Sequence, residues 1–387
     1  MRILYCGPNA SDIAQATRHG DVAASRWAYS LLRALADQGH EIVALTHTHE
    51  RIWPRGEKLW RSRDERYFPR DWPCIDVPYP AIYKLREAWL NWAYPLKARR
   101  ILEASKFDAV LLYNCMDPYQ VAVQHVARGA RIPVFPVILD GDDPRKDVWA
   151  KLKADTLESA GVVFVSFWAK VKYPASKPTC HLDGGDEVWR GSAPEQSKTM
   201  RDQGKEFSFV HTGSLDYWRG LDFFEKVAEI VAMRNMPIRF LLCGRISEDA
   251  RDRLLRHRSV ELKGFVSDQE LDKICRNAFG FVNVREPSVG DNILNYPSKL
   301  PRCLSYGKPV VSTWVDSFAP EYRDLLYANN TNTPDGFVDE LKRVIQEPPL
   351  ALKTRYDLIR DWFVASRLWS VQASRLAAWM REVILEA

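Results

Sequence analysis

No run of eighteen apolar residues occurs anywhere in the chain, so no segment is long enough to cross a bilayer as a helix. The opening stretch, Met1 to Gly7, is apolar over far too short a span for a secretory leader and reads as a first core strand. Charge of one sign is also lacking: 55 basic residues face 50 acidic ones, and the net +5 does not by itself point to nucleic acid. The seven cysteines (Cys6, Cys74, Cys115, Cys180, Cys243, Cys275 and Cys303) are odd in number and scattered, mostly inside apolar runs. No pair has the spacing of a zinc site, and the pattern fits reduced thiols in a cytoplasmic protein better than a disulfide framework. There is no low-complexity tract and no internal repeat. What remains is a globular composition, 46% apolar and 27% charged over 387 residues, enough for two domains that each bury a core.

The stretch from Phe207 to Asp316 sets the organisation. Short apolar runs within Phe207–Leu215, Ile238–Arg245, Val260–Leu271 and Phe281–Pro287 alternate with helical patterns, and turns holding Gly, Ser or Pro follow several of them. That alternation predicts a parallel sheet with crossover helices. In such a sheet, ligands sit beyond the carboxyl ends of the strands. The first half repeats the grammar. A strand over Met1–Gly7 leads through a loop to a helix with Trp27, Leu31, Leu32 and Leu35 at helical spacing, then to a strand over Glu41–Thr46. Further strands are predicted at Phe107–Tyr113, Ile132–Asp140 and Ala160–Ser166, and a closing helix at Ser366–Glu386.

Three motifs in series carry a resemblance. They are Thr212-Gly213-Ser214 followed by Arg219-Gly220, then Gly264-Phe265-Val266-Ser267-Asp268, then Pro297-Ser298-Lys299-Leu300 followed by Gly307-Lys308-Pro309. Together they resemble the donor-binding domain of GT-B glycosyltransferases, in particular the retaining group called family 4. The resemblance implies an α/β protein with two Rossmann-like domains facing across a cleft, the last helix crossing back to the first domain. The implied boundaries are 1–195 with 366–387 for the acceptor domain and 206–360 for the donor domain, joined by a linker rich in Ser, Gly and charge at 191–205. No cofactor and no metal are implied, only a nucleotide sugar as co-substrate. The donor would be held by Thr212, Gly213, Ser214, Arg219, Arg245, Phe265, Val266, Glu286, Gly290, Asp291, Asn292, Ser298, Lys299 and Arg302. Arg219 and Lys299 would clamp the diphosphate, where preorganised cations and amides stabilise the leaving charge. For Arg219 and Lys299, a surface cation capping a helix is the plainer alternative.

Two departures from the family pattern stand out. The positions of its paired glutamates fall on Leu294 and Arg302, and Ser214 replaces its arginine, so donor recognition is either altered or divergent with standard donors. On the acceptor side the resemblance points to Gly7, Ser11, Asn114, Asp117 and Asp140. Asp140 ends a strand and is the acid/base or acceptor-orienting candidate, whereas the usual histidine before it is Leu139. Asp140-Gly141-Asp142 also imitates a short metal-binding motif common in sequences. His211 reads as a satisfied buried histidine.

Residues 51–100 depart from an ordinary Rossmann half. They hold twelve basic and six acidic residues interleaved with ten Trp, Tyr and Phe residues. A solvated helical face with its aromatics in the core, a membrane or lipid-linked acceptor surface and a nucleic-acid surface all fit that mix. The functional reading is sugar transfer from a nucleotide-diphosphate donor to a hydroxyl acceptor in polysaccharide or glycolipid assembly, retaining and metal-independent. The place is the cytoplasm or the inner membrane face. The alternatives are glycosylation of modified DNA bases and a catalytically retired binding module.

Overall fold

The structure is a computed structural model and describes residues 1–8, 22–47, 52–54, 56, 59–61, 71–115, 117–139, 148–174, 176–192, 206–216, 220–285, 295–328 and 331–386. The chain divides into two compact units. One comprises Met1–Glu187, Leu294–Ser298 and Trp369–Ala387, the other Val188–Ile293 and Lys299–Leu368. Both are Rossmann-like α/β layers.

The first unit runs β1 (Arg2–Pro8), α1 (Val22–Asp37), β2 (Glu41–His47), β3 (Trp60–Arg61), β4 (Cys74–Asp76), β5 (Tyr79–Pro80), α2 (Leu85–Ala104), β6 (Ala109–Tyr113), α3 (Pro118–Gly129), β7 (Val134–Ile138), α4 (Val148–Asp155), β8 (Val162–Phe164), α5 (Phe167–Lys172) and β9 (Thr179–His181). Seven strands form a parallel sheet in the order β4-β2-β1-β6-β7-β8-β9, while β3 and β5 make a small antiparallel ribbon. β1, β2 and β6 are buried almost throughout, as expected of parallel strands covered on both faces. Trp27, Leu31, Leu32 and Leu35 turn inward from α1, as their spacing predicts. The closing helix, Trp369–Glu386, packs on this unit. Trp369 meets Trp27 edge-on at 5.5 Å, and Trp379 meets Phe135 at 5.4 Å. Gly161 makes room for Trp379, since a Cβ there would lie 2.8 Å from the indole.

The second unit runs β10 (Phe207–Thr212), α6 (Leu221–Met233), β11 (Ile238–Cys243), α7 (Glu248–Leu254), β12 (Val260–Gly264), α8 (Asp268–Asn277), β13 (Gly280–Asn283), α9 (Leu300–Leu304), β14 (Val310–Ser312), α10 (Tyr322–Leu325), α11 (Pro334–Gln346) and α12 (Pro349–Ser366). Its five strands are all parallel, in the order β12-β11-β10-β13-β14. The chain therefore moves outward from β10 through β12 and returns to β13 on the other side. That reversal opens a crevice at the carboxyl ends of β10 and β13. Phe209, Phe224, Phe240 and Leu242 form the centre of the core beneath it.

Two expected boundaries shift. The sequence assigns 188–195 to the first domain, but Val188–Gly191 packs with the second: Arg190 donates its amide to Ser305 O at 2.8 Å, and Trp189 lies against Tyr356 and Phe363. The second unit also runs past 360 to Leu368, because α12 is pinned there. Arg367 is almost fully buried, paired with Glu321 at 2.9 Å, and its guanidinium covers Trp362 at 4.4 Å. The break at 367–368 also moves the start of the closing helix from Ser366 to Trp369. Among the described residues, no helix is long and apolar enough to cross a membrane.

Candidate functional site

The crevice of the second unit is built from three turns that follow adjacent strands. Gly213, after β10, has φ +93° and donates its amide to Cys243 O at 2.7 Å. Gly244, after β11, has φ +158° and donates to Gly264 O at 2.8 Å, and Gly264 itself has φ +69°. All three conformations favour glycine over a residue with a Cβ. Gly244 also meets Gly213 directly: a Cβ at 244 would sit 2.1 Å from the Gly213 carbonyl oxygen. The turns thus form one hydrogen-bonded row of backbone along the sheet edge.

Lys299 stands over the first of these turns. A Cβ on Gly213 would lie 3.5 Å from the Lys299 Nζ. The ammonium donates to His211 Nε2 at 3.2 Å, so the imidazole accepts there and carries its proton on Nδ1. His211 is buried at the end of β10. Burial, followed by the nearby Lys299 charge, holds its pKa well below the usual histidine range. A neutral histidine is what this contact requires, since an imidazolium would repel the lysine. Lys299 itself occupies the N-cap position of α9, whose Leu300, Pro301, Cys303 and Leu304 are buried. The short helix therefore anchors the lysine through its apolar side.

At the other end of the row, the Arg245 guanidinium lies 5.5 Å from the centre of the Phe265 ring, and Phe265 is 63% exposed. β12 lies two strands from β10, about 10 Å at ordinary strand spacing. An ammonium over a glycine turn and an exposed flat ring are thus separated by two strand widths. Val266 follows Phe265, and Ser267 caps α8 by accepting from Glu270 N at 3.2 Å. Helix capping thus accounts for part of the Gly264–Leu271 motif.

The remaining expected residues divide. Thr212 ends β10, its hydroxyl 3.9 Å from Cys303 Sγ, and Ser214 follows in the same turn. Arg302 pairs with Asp268 at 3.2 Å in the first turn of α8, which gives the arginine a structural partner where the family pattern has a glutamate. Ser298 is exposed and groups with the first unit, whereas Lys299 groups with the second. Ser11, Asp140, Arg219, Glu286, Gly290, Asp291 and Asn292 lie outside the described residues. The linker expected at 191–205 is described only for residues 191 and 192.

In the first unit, Gly7, Asn114 and Asp117 each have a local structural role. A Cβ on Gly7 would lie 2.4 Å from the Tyr5 hydroxyl and 2.5 Å from Tyr113 Cβ. Asn114 adopts φ +52°, and its side-chain oxygen accepts from Leu139 N at 3.2 Å, tying the end of β6 to that of β7. Asp117 caps α3 and accepts from the Tyr119 hydroxyl at 2.9 Å. Two residues of the crevice were not singled out by the sequence as parts of a site. His211 reads there only as a buried histidine, and Gly244 is one more glycine after a strand. The repetition of strand followed by glycine at 213, 244 and 264 is the signal that marks the row.

Residues 206–347 match the family described as "Glycosyl transferases group 1". No curated protein matches the chain in sequence. Among solved structures, Anabaena Alr3699/HepE in complex with UDP and glucose is 13% identical with a TM-score of 0.64, over 99% of this chain and 100% of that one. An α,α-trehalose-phosphate synthase (UDP-forming) from Burkholderia vietnamiensis is 12% identical with a TM-score of 0.69, over 100% of this chain and 98% of that one. A putative UDP-N-acetylglucosamine 2-epimerase from Listeria monocytogenes is also similar, at 11% identity and a TM-score of 0.59, over 100% of this chain and 97% of that one. At such identities the likeness establishes a fold, and folds host several chemistries. The family match is confined to residues 206–347, which are similar to the group 1 glycosyl transferases, on a chain with the GT-B fold.

Proposed function

We propose that the protein transfers a glycosyl group from a nucleoside-diphosphate sugar to a hydroxyl acceptor, with the donor on the second unit. The observation that carries this reading is the Lys299 ammonium held over the Gly213 turn at the switch point of a parallel sheet. There a diphosphate meets a cation above a turn that carries no side chain to hold it away. The Arg245–Phe265 pair two strands away offers a face for a nucleobase. HepE, solved with UDP and glucose, makes a uridine-diphosphate sugar the first donor to try.

In the proposed step the acceptor oxygen bonds to the anomeric carbon as the bond from that carbon to the diphosphate oxygen breaks. The acceptor proton passes to a diphosphate oxygen, and retention follows if attack comes from the face the leaving group vacates. Lys299 meets the developing charge above the Gly213 turn without calling on a metal. The acceptor is a hydroxyl of a glycan or lipid-linked intermediate in polysaccharide or glycolipid assembly, at the cytoplasmic side.

A thermal-shift panel of UDP, GDP, ADP, dTDP and CMP tests the reading, because a ligand that binds only the folded state raises the midpoint by mass action. One nucleoside diphosphate stabilising the wild type, and doing so far less in Lys299→Ala, supports it. A panel that moves neither protein overturns it in favour of a retired domain. Incubating the matching nucleotide sugar then separates transfer from epimerisation, since only transfer or hydrolysis frees the diphosphate.

A further inference from the structure

The first unit carries an apolar ridge that its core does not use. Trp53 is 53% exposed, Trp60 48%, Tyr83 68% and Trp92 60%, with Leu59, Ile82 and Leu85 exposed beside them. These residues are neighbours in space. Trp53 donates its amide to Ala81 O and Ala81 donates to Leu59 O, each at 2.8 Å, and Trp60 pairs with Pro80 across the β3–β5 ribbon. Trp60, Trp89 and Trp92 then form a ladder of edge-on indoles with centroids 5.4 and 5.3 Å apart. The Trp89 indole N–H donates to Pro78 O at 2.9 Å, which fixes α2 against the ribbon.

α2 is two-faced. Leu90, Tyr94, Ala98 and Leu102 face the core, whereas Leu85, Trp92, Arg99 and Arg100 are exposed on the outer side. Lys84 lies beside the Tyr83 ring, its ammonium 5.9 Å from the centre. Charge points the same way: residues 51–100 carry six more basic than acidic residues, a larger surplus than the net +5 of the whole chain, so the remainder is slightly acidic.

We propose that this ridge docks the protein on an anionic phospholipid surface. Indole and phenol rings prefer headgroup depth, where the ring meets acyl chain and the N–H or O–H meets water. Arginine and lysine stems extend past them to lipid phosphates. A protein partner covers exposed apolar side chains without needing this surplus of cations, and single-stranded nucleic acid would want rings spaced along a basic channel. Contiguous exposed Trp, Tyr, Ile and Leu beside a surplus of cations favour an anionic bilayer face. The ridge is built from residues of the first unit and the Gly213 crevice from residues of the second, so its test is independent of the donor reading.

Co-sedimentation with vesicles of phosphatidylcholine alone, or mixed with phosphatidylglycerol, tests the proposal on the full chain. The wild type is expected to pellet with the mixed vesicles and to be released by salt. Arg99→Ala/Arg100→Ala should lower partitioning about twenty-five-fold, at about fivefold per cation near an anionic surface, and Tyr83→Ser/Trp92→Ser should separately lower it on the order of tenfold through lost ring insertion. The arginine variant should keep the wild-type melting midpoint, because both side chains are exposed, and the aromatic variant should stay folded with a midpoint only slightly lower, from loss of the Trp89–Trp92 contact. Absence of vesicle binding, equal binding to both compositions, or stronger retention on DNA than on vesicles at the same salt would overturn it.

Discussion

Gly213, Lys299 and His211 show how three residue types divide one task. The glycine lets the chain turn at φ +93° with its backbone exposed, the lysine supplies the charge, and the buried neutral histidine fixes where that charge sits. Gly213→Ala is expected to cost about 1–2 kcal/mol of stability through its left-handed conformation, measurable by urea unfolding. Gly244→Ala is expected to cost more, since its Cβ would collide with backbone rather than with a mobile side chain. His211 adds a pH dependence whose sign is fixed. Its folded pKa is depressed below the unfolded value near 6.5, so the unfolded chain takes up a proton that the folded one resists. Stability is therefore present above about pH 6.5 and falls as the pH drops below it. In His211→Gln that fall should flatten, with denaturation midpoints across pH 5–8 as the readout. Of this trio the sequence motifs disclosed Gly213 and Lys299. His211 was legible only as a core histidine, because nothing local says that a lysine 88 residues away will reach it.

Elements explain why some motif residues look functional and are structural. Lys308, in the Gly-Lys-Pro motif, donates to Arg276 O at 2.6 Å and also to Ala278 O, closing the carboxyl end of α8. Burial lowers its pKa to about 8. Lys308→Met should destabilise the second unit by about 1–2 kcal/mol, the worth of a charged cap on orphan carbonyls, while nucleotide stabilisation of the folded protein persists. Arg302 is tied by Asp268 in the same helix's first turn, so Arg302→Glu would place two carboxylates together and lower the melting midpoint. The alternation of strands and helices was plain in the sequence because parallel strands buried on both faces are nearly continuous apolar runs. Ends of elements were less so. The break between α12 and the closing helix depends on Arg367 finding Glu321 and Trp362, a tertiary choice that no local pattern records.

For the whole molecule, the two-unit division and the return of the closing helix followed from the family-like motifs, yet the joins did not. Val188–Gly191 looks like the end of the first domain until Trp189 is seen against Tyr356 and Phe363. Cysteine chemistry is a property of this scale as well. All seven are free thiols, six of them buried, and burial raises Cys115 and Cys275 to about 12 and Cys180 and Cys243 to about 11. Thiolate, the reactive form, is scarce at neutral pH. A thiol reagent such as dithionitrobenzoate should therefore label the native protein slowly, with half-exposed Cys180 first, and should titrate seven groups once the chain is unfolded.

The central claim is that Lys299 over the Gly213 turn binds the diphosphate of a sugar donor. Isothermal titration of the preferred nucleoside diphosphate and of its parent nucleoside, against wild type and Lys299→Ala, tests it as a cycle. The account predicts that the mutation weakens the diphosphate at least about tenfold, as loss of a charge-assisted contact should, and leaves the nucleoside nearly unchanged. Equal weakening of both ligands, or of neither, would contradict it.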